Sequence, residues 1–147
     1  MEERIAYADY GQRVRAAILD NVLLYVLSGI LIFGFSIFAF RAQGSPLQGL
    51  FNTFALLIAY AGPTVYYTVC YAEGGQTLGK MNGHIAVRLD GDENTPLGYI
   101  RSLIRAAVPP FMWLLILPGL LDVLWPMWDP KKQTLHDKMV GSVVVQV

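Results

Sequence analysis

The sequence predicts an all-α integral membrane protein with a small cytoplasmic β element. Three observations carry this reading. Only 15% of the 147 residues are charged and 54% are apolar, whereas an ordinary soluble domain is roughly 25% charged. The apolar residues form three long blocks rather than recurring at a period of two or 3.6. Short runs of β-formers lie before and after the last block. Asn21 to Phe40 and Ala42 to Ala72 contain no charge, and Ala106 to Leu121 is a third such run that continues past Asp122 to Trp128. About 20 apolar residues span a bilayer. As buried helices of a soluble protein, two segments of this length would need covering on all sides, which so short a chain cannot do. The length fits one domain over residues 1–147.

The opening MEERIAYADYGQRVR is acidic as well as basic, and the apolar run behind it is too long for a cleavable signal. A first full span is expected over about residues 16–40, followed by the loop RAQGSPLQG and a second span over about 51–72. Pro63 should bend the second helix by leaving a carbonyl one turn earlier without its donor. Cys70, the single cysteine, excludes an internal disulfide and a thiolate metal cluster and reads as a small buried hydrophobe. Thr53, Tyr60, Thr64, Tyr67 and Tyr71 share one arc of that helix at 100° per residue. Such hydroxyls either glue helices together, with Tyr71 and Tyr67 as interfacial anchors, or line a wet pathway.

Residues 73–103 form the expected cytoplasmic loop. HIAVRL reads as a strand, and Thr95-Pro96 as N-cap and first residue of a helix through Leu97 to Arg105. The third membrane segment, about 104–128, is broken by Pro109-Pro110, Pro118-Gly119 and Pro126. The tail, 129–147, ends in the strand-like GSVVVQV. Neither strand is stable alone, so the two are expected to pair. Basic residues gather in three places: Arg4, Arg13 and Arg15; then Lys80, Arg88, Arg101 and Arg105; then Lys131, Lys132 and Lys138. The loop between the spans has only Arg41. The N-terminus, middle loop and tail therefore read as cytoplasmic. Two spans return the chain to its starting side, so the third segment is either a re-entrant hairpin turning at Pro118-Gly119 or a simple third span that sends the tail across.

Several motifs have plainer readings. GGQTLGK has the spacing of a phosphate-binding loop, but Met81 stands where Ser or Thr should hold magnesium, and the motif follows a membrane helix instead of a strand. It reads as a helix exit in which glycines supply positive φ. DGDEN opens like a calcium loop but has Thr95 and Arg101 at the sixth and twelfth positions, so it reads as a solvated turn. His84 and His136 do not make a zinc set, and no serine motif accompanies His136 and Asp137. No metal, cofactor or enzymatic activity is expected. The net charge is zero, and no nucleic-acid partner is expected.

Arg13 and Asp20 are seven residues apart, on one helix face and about 10 Å apart along the axis. Asn21 and Ser28 lie near that face. A carboxylate at the hydrocarbon edge is costly unless paired, hydrated or protonated. The residues leave two readings open: a site balanced between burial and a nearby arginine, able to load and release a proton or cation, or a fixed ion pair.

Arg13-x-x-Ala16 with Asp20, GQTLGK with IAVRL, the pair Arg101 and Arg105, and DPKKQTLHDKMVGSVVV together resemble the RDD family of small multi-pass membrane proteins. The resemblance covers nearly the whole chain, and QTLHDK before a valine-rich strand is its most specific part. It matches Arg13 and Asp20 to the family's arginine and first aspartate. The second falls on Asp137, with Asp129 as the other candidate. Arg15 is an added cation, and VGS replaces an expected AGT-like run. The resemblance implies a multi-pass protein of the plasma membrane, a bacterial inner membrane, and monovalent cation/proton antiport in some members. Under that reading Asp20 binds a cation or proton, Arg13 tunes it, and Asp137 or Asp122 completes a second contact, with Arg105 in the same charge network. Asn21, Ser28, Tyr60, Thr64 and Tyr67 then line the pathway. Three segments enclose no pathway alone, so a homo-oligomer or partner membrane subunit is required. The alternative is a non-catalytic scaffold or accessory subunit in which the Arg/Asp network is structural.

Overall fold

A computed structural model describes residues 6–147; Arg4, counted above among the cytoplasmic cations, lies outside the described residues. Two long helices, α1 (Tyr10–Arg41) and α2 (Pro46–Glu73), form an antiparallel hairpin. At 1.5 Å per residue they extend about 48 and about 42 Å, more than the roughly 30 Å of a hydrocarbon layer. Both are long and apolar enough to cross a membrane, and only 6% and 0% of their most apolar windows are buried by the rest of the chain. The core helix of a soluble protein would be covered; these are bare.

The start of α1 is fixed by a capping box. Asp9 accepts from the Gln12 backbone N–H at 2.6 Å, and the Gln12 side chain accepts from the Asp9 N–H at 3.0 Å. Pro46 occupies the first turn of α2, where its missing N–H costs nothing. Pro63 lies inside α2, which continues past it as one helix to Glu73.

Everything else except one helical excursion gathers where α1 begins and α2 ends. There α3 (Leu78–Asn82) leads into β1 (Ile85–Leu89), and α6 (Leu135–Val140) leads into β2 (Ser142–Gln146). The strands pair antiparallel, with Val87 opposite Val144. Residues 6–8 extend this sheet along β2: the Ala8 N–H donates to Val144 O at 2.9 Å, and Gln146 N–H to Ala6 O at 2.8 Å. Ala8, Ala16, Tyr71, Ile85, Val87, Leu97, Val140 and Val144 make one buried cluster. The packed core therefore sits in this polar head, not between the long helices.

The excursion is α4 (Tyr99–Leu114) followed by α5 (Ile116–Leu124) and a 3₁₀ turn, Trp125–Met127. Its details correct three expectations. The helix does not start at Thr95-Pro96. The Thr95 hydroxyl bonds Asp92 at 2.7 Å and its carbonyl accepts from Leu89 at 3.2 Å, so Thr95 closes the DGDEN turn and Gly98, at φ 72°, delivers the chain into α4. Pro109-Pro110 lies inside α4 without ending it. The reversal falls at Leu115 (φ −109°, ψ 59°) and not at Pro118-Gly119, which belongs to α5. Pro118 is in the first turn of α5, where proline is tolerated. A Cβ on Gly119 would lie 2.8 Å from the Trp113 ring, so glycine is what lets α5 fold back onto α4.

Candidate charge-network site

Two buried carboxylates organise the head. Asp137 is fully buried. It is the third residue of α6, whose N-cap Thr134 accepts from the Asp137 N–H at 3.1 Å while the Asp137 carboxylate accepts from the Thr134 N–H at 3.2 Å. The same carboxylate accepts from Arg13 Nη1 at 2.9 Å, from Arg105 Nε at 2.9 Å and Nη2 at 2.7 Å, and from the Ser142 hydroxyl at 2.9 Å. One side chain thus ties α1, α4, α6 and β2 together. Burial alone would push the Asp137 carboxyl up. The charges of Arg105, His136 and Arg13 outweigh it and hold the group well below the usual carboxylate range.

Asp20 is also fully buried, but its partners correct the expected pairing. Arg13 turns to Asp137, and Asp20 accepts instead from the Gly79 backbone N–H at 2.8 Å, the Tyr66 hydroxyl at 3.3 Å and the Thr77 hydroxyl. The Tyr66 oxygen in turn accepts from the Leu78 N–H at 3.0 Å. Among the described residues no cationic side chain lies within salt-bridge distance of Asp20. The approach needs Gly79, because a Cβ there would lie 2.1 Å from Ala16 O. GGQTLGK is therefore more than the expected helix exit. Gly75 has the positive φ, 70°, but Thr77 and Gly79 cradle a carboxylate of the chain itself, as backbone donors cradle an external anion.

The two carboxylates belong to one chain of contacts. The Arg105 guanidinium lies 4.4 Å from the Tyr71 ring centroid, and Lys80 Nζ lies 5.0 Å from it and donates to the Tyr71 hydroxyl at 3.1 Å. The Lys80 N–H donates to Thr77 Oγ1 at 3.2 Å, one step from Asp20. Tyr71 is thus a buried bridge, not an interfacial anchor. Asp122, buried on α5, accepts from the His136 backbone N–H at 2.9 Å and is bonded to its Nδ1 at 2.7 Å. His136 Nε2 lies 4.0 Å from Asp137. Arg13 and Arg105 meet Asp137, His136 meets Asp122, and Lys80 reaches the Tyr71 hydroxyl. Asp129 stands apart, paired with Lys138 and accepting from Gln133 N–H at 3.0 Å. Burial would raise it, but Lys138 and these N–H donors hold it below its ordinary value. Of the two candidates for the second aspartate, only Asp137 meets Arg13.

The proposed pathway residues do not converge. Asn21 is exposed, and Tyr60 is 75% exposed. Ser28 is half-buried. Thr64 turns its hydroxyl back to Tyr60 O at 3.2 Å, as a helix satisfies such a group internally. Tyr67 stacks on Tyr71 and meets Tyr66 edge-on. Sequence reasoning missed Tyr66, Thr77, Gly79 and Ser142. Its one usable signal was the phosphate-loop spacing, whose physics is a row of backbone donors waiting for an anion.

The RDD family model matches residues 7–141. No curated protein and no solved structure matches the chain. The matched stretch holds the whole Arg13–Asp137–Arg105 cluster and the Asp20 cradle, and the chain belongs to the RDD family.

Proposed function

We propose that this RDD-family chain is a non-catalytic membrane scaffold or accessory subunit, with the Arg/Asp network as its structural lock. The observation that carries the reading is the donor set at Asp20. A cation site needs acceptor oxygens turned towards an open space. Here an N–H and two hydroxyls are directed at the carboxylate, and an N–H repels a cation. Asp137 is likewise taken up by two guanidiniums. These bonds fix the ends of α1, α4 and α6 to one another and leave the apolar surfaces of α1 and α2 open to lipid and to a partner, a second copy or another membrane subunit.

In this reading the head is cytoplasmic, and α4–α5 is a re-entrant hairpin. The support is topological. β1 precedes the hairpin and β2 follows it, and the two pair, which supports a hairpin that leaves by the side it entered. At about 14 Å, α5 is too short to cross. Orientation follows the arginines and lysines of the head.

The test is flux in proteoliposomes under a pH gradient with sodium, lithium and potassium in turn. Well-inserted wild-type protein should give no cation-dependent collapse. Collapse that is lost in a folded Asp20→Asn variant would overturn the scaffold reading. It would establish the second one, monovalent cation/proton exchange through Asp20 in an oligomer. That reading has one observation in its favour: a fully buried carboxylate with no cationic side chain within salt-bridge distance among the described residues.

A further inference from the structure

Arg15 is a cation that the charge network does not use. It lies in α1 beside a groove of about 190 Å³ between α1 and α3. Its Nε donates to Gly11 O at 3.3 Å. Among the described residues no carboxylate lies within salt-bridge distance of its guanidinium. Two more donors line the same groove. The Gln12 side-chain oxygen is occupied by the Asp9 N–H and the Gln146 amide, which leaves its amide nitrogen available. Asn82 is exposed at the groove's edge. The floor is Gly79 and Gly83 backbone, with no side chain to fill it. A concave site lined by a guanidinium and two amides, with no acidic residue in its lining among the described residues, is built for an anion with several acceptor oxygens.

What lies beneath identifies its source. Leu19 also lines the groove. Leu19, Val22 and Val26 continue from Arg15 along one helix face, at 47%, 56% and 56% exposure. This apolar track leads directly into the uncharged run that begins at Asn21. Donors above an apolar track at the polar end of a span match a phosphate ester above an acyl chain.

We propose that this groove binds the phosphate headgroup of an anionic phospholipid, with one acyl chain lying along Leu19, Val22 and Val26. The experiment is native mass spectrometry of the full chain released from phosphatidylcholine bilayers doped with phosphatidylglycerol. Wild type should retain phosphatidylglycerol over phosphatidylcholine. Arg15→Gln should cut that preference about fivefold, the effect of one surface cation on an anionic lipid. Gly83→Leu, which fills the groove without changing charge, should do the same. Its backbone φ of −89° accepts a side chain, and thermal melting in phosphatidylcholine checks its fold and decides the case if Arg15→Gln does not fold. Arg101→Gln, an exposed cation elsewhere on the head, should leave the preference unchanged. Equal loss in Arg15→Gln and Arg101→Gln would reduce the effect to diffuse surface charge and overturn the site. So would a wild type with no preference. Displacement of phosphatidylglycerol by inorganic phosphate would assign the groove to a soluble phosphate instead of a lipid. The readout is independent of flux, so its failure leaves the scaffold reading untouched.

Discussion

Asp137 and Arg13 differ in what their loss exposes. Replacing Asp137 by Asn leaves two guanidiniums facing each other with no counter-charge, and breaking one partner out of a buried pair costs about 3–5 kcal/mol. Asp137→Asn should therefore show a large fall in unfolding free energy in micelles, and Arg13→Gln a smaller one, because Arg105 still holds Asp137 by two bonds. Exchanging Arg13 with Asp137 should not restore stability, since it would place a guanidinium at position 137 against Arg105. A denaturation series on both singles and the exchange checks this. The pH dependence has a definite sign. The Asp137 carboxyl is held well below its ordinary value of 3.8 in the folded protein. Its contribution is thus complete above about pH 4 and is lost as pH falls below that towards the folded value. Melting temperature should be flat in this component through neutral pH and drop in acid, with the drop absent in Asp137→Asn. At Gly79 the prediction is steric. Gly79→Ala forces a methyl into Ala16 O, and overpacking of this kind costs about 1–3 kcal/mol. Faster hydrogen exchange at the α3 amides would report it.

Among the elements, the long spans and both strands were legible because their signals are local: uncharged length for α1 and α2, β-branched runs for β1 and β2. Helix α4 was misplaced for an equally physical reason. Thr95-Pro96 carries good capping chemistry, but the Asp92 turn uses it first, and Gly98 at positive φ supplies the entry instead. The Pro118-Gly119 turn was misread because proline in a first turn and proline ending a helix look alike in sequence. What distinguishes them is the contact of Gly119 with Trp113, which no local rule contains. The charge site followed the same division. Asp20 and Asp122 were visible as charges in apolar segments and Arg13 by its spacing to Asp20, while Asp137 and Arg105 entered through the family resemblance. The pairing itself depends on contacts as far as 124 residues apart in the chain. Gly119→Val should separate α5 from α4 and loosen Asp122 from His136, raising hydrogen exchange in α5 while the β1–β2 amides stay protected.

At the scale of the whole molecule the claim is sidedness. In a Cys70→Ala background, cysteines placed at Gln43 between the spans, at Asn94 in the middle loop and at Val147 in the tail should label from opposite faces. Asn94→Cys and Val147→Cys should react together from one side, and Gln43→Cys from the other. A tail labelled from the Gln43 side would mean that the third segment crosses, and would overturn the re-entrant reading that rests on the pairing of β1 with β2. The same pairing explains why so bare a hairpin is not simply two independent spans: its ends are bound into a head whose core no single segment could bury alone.

The Asp20 cradle closes a loop of 59 residues and the Arg13–Asp137 bond one of 124, so the two are separated in time as well as in space. A chain made at roughly 5–20 residues per second completes the first several seconds before the second. During that interval both long helices exist, and the glycine of the cradle can already hold α1 against α3. Arg13 and Arg105, however, have no carboxylate to meet. From the making of Arg105 to that of Asp137 the nascent protein is expected to hold two guanidiniums without their carboxylate, and the turn of helix that carries Asp137 ends that stage.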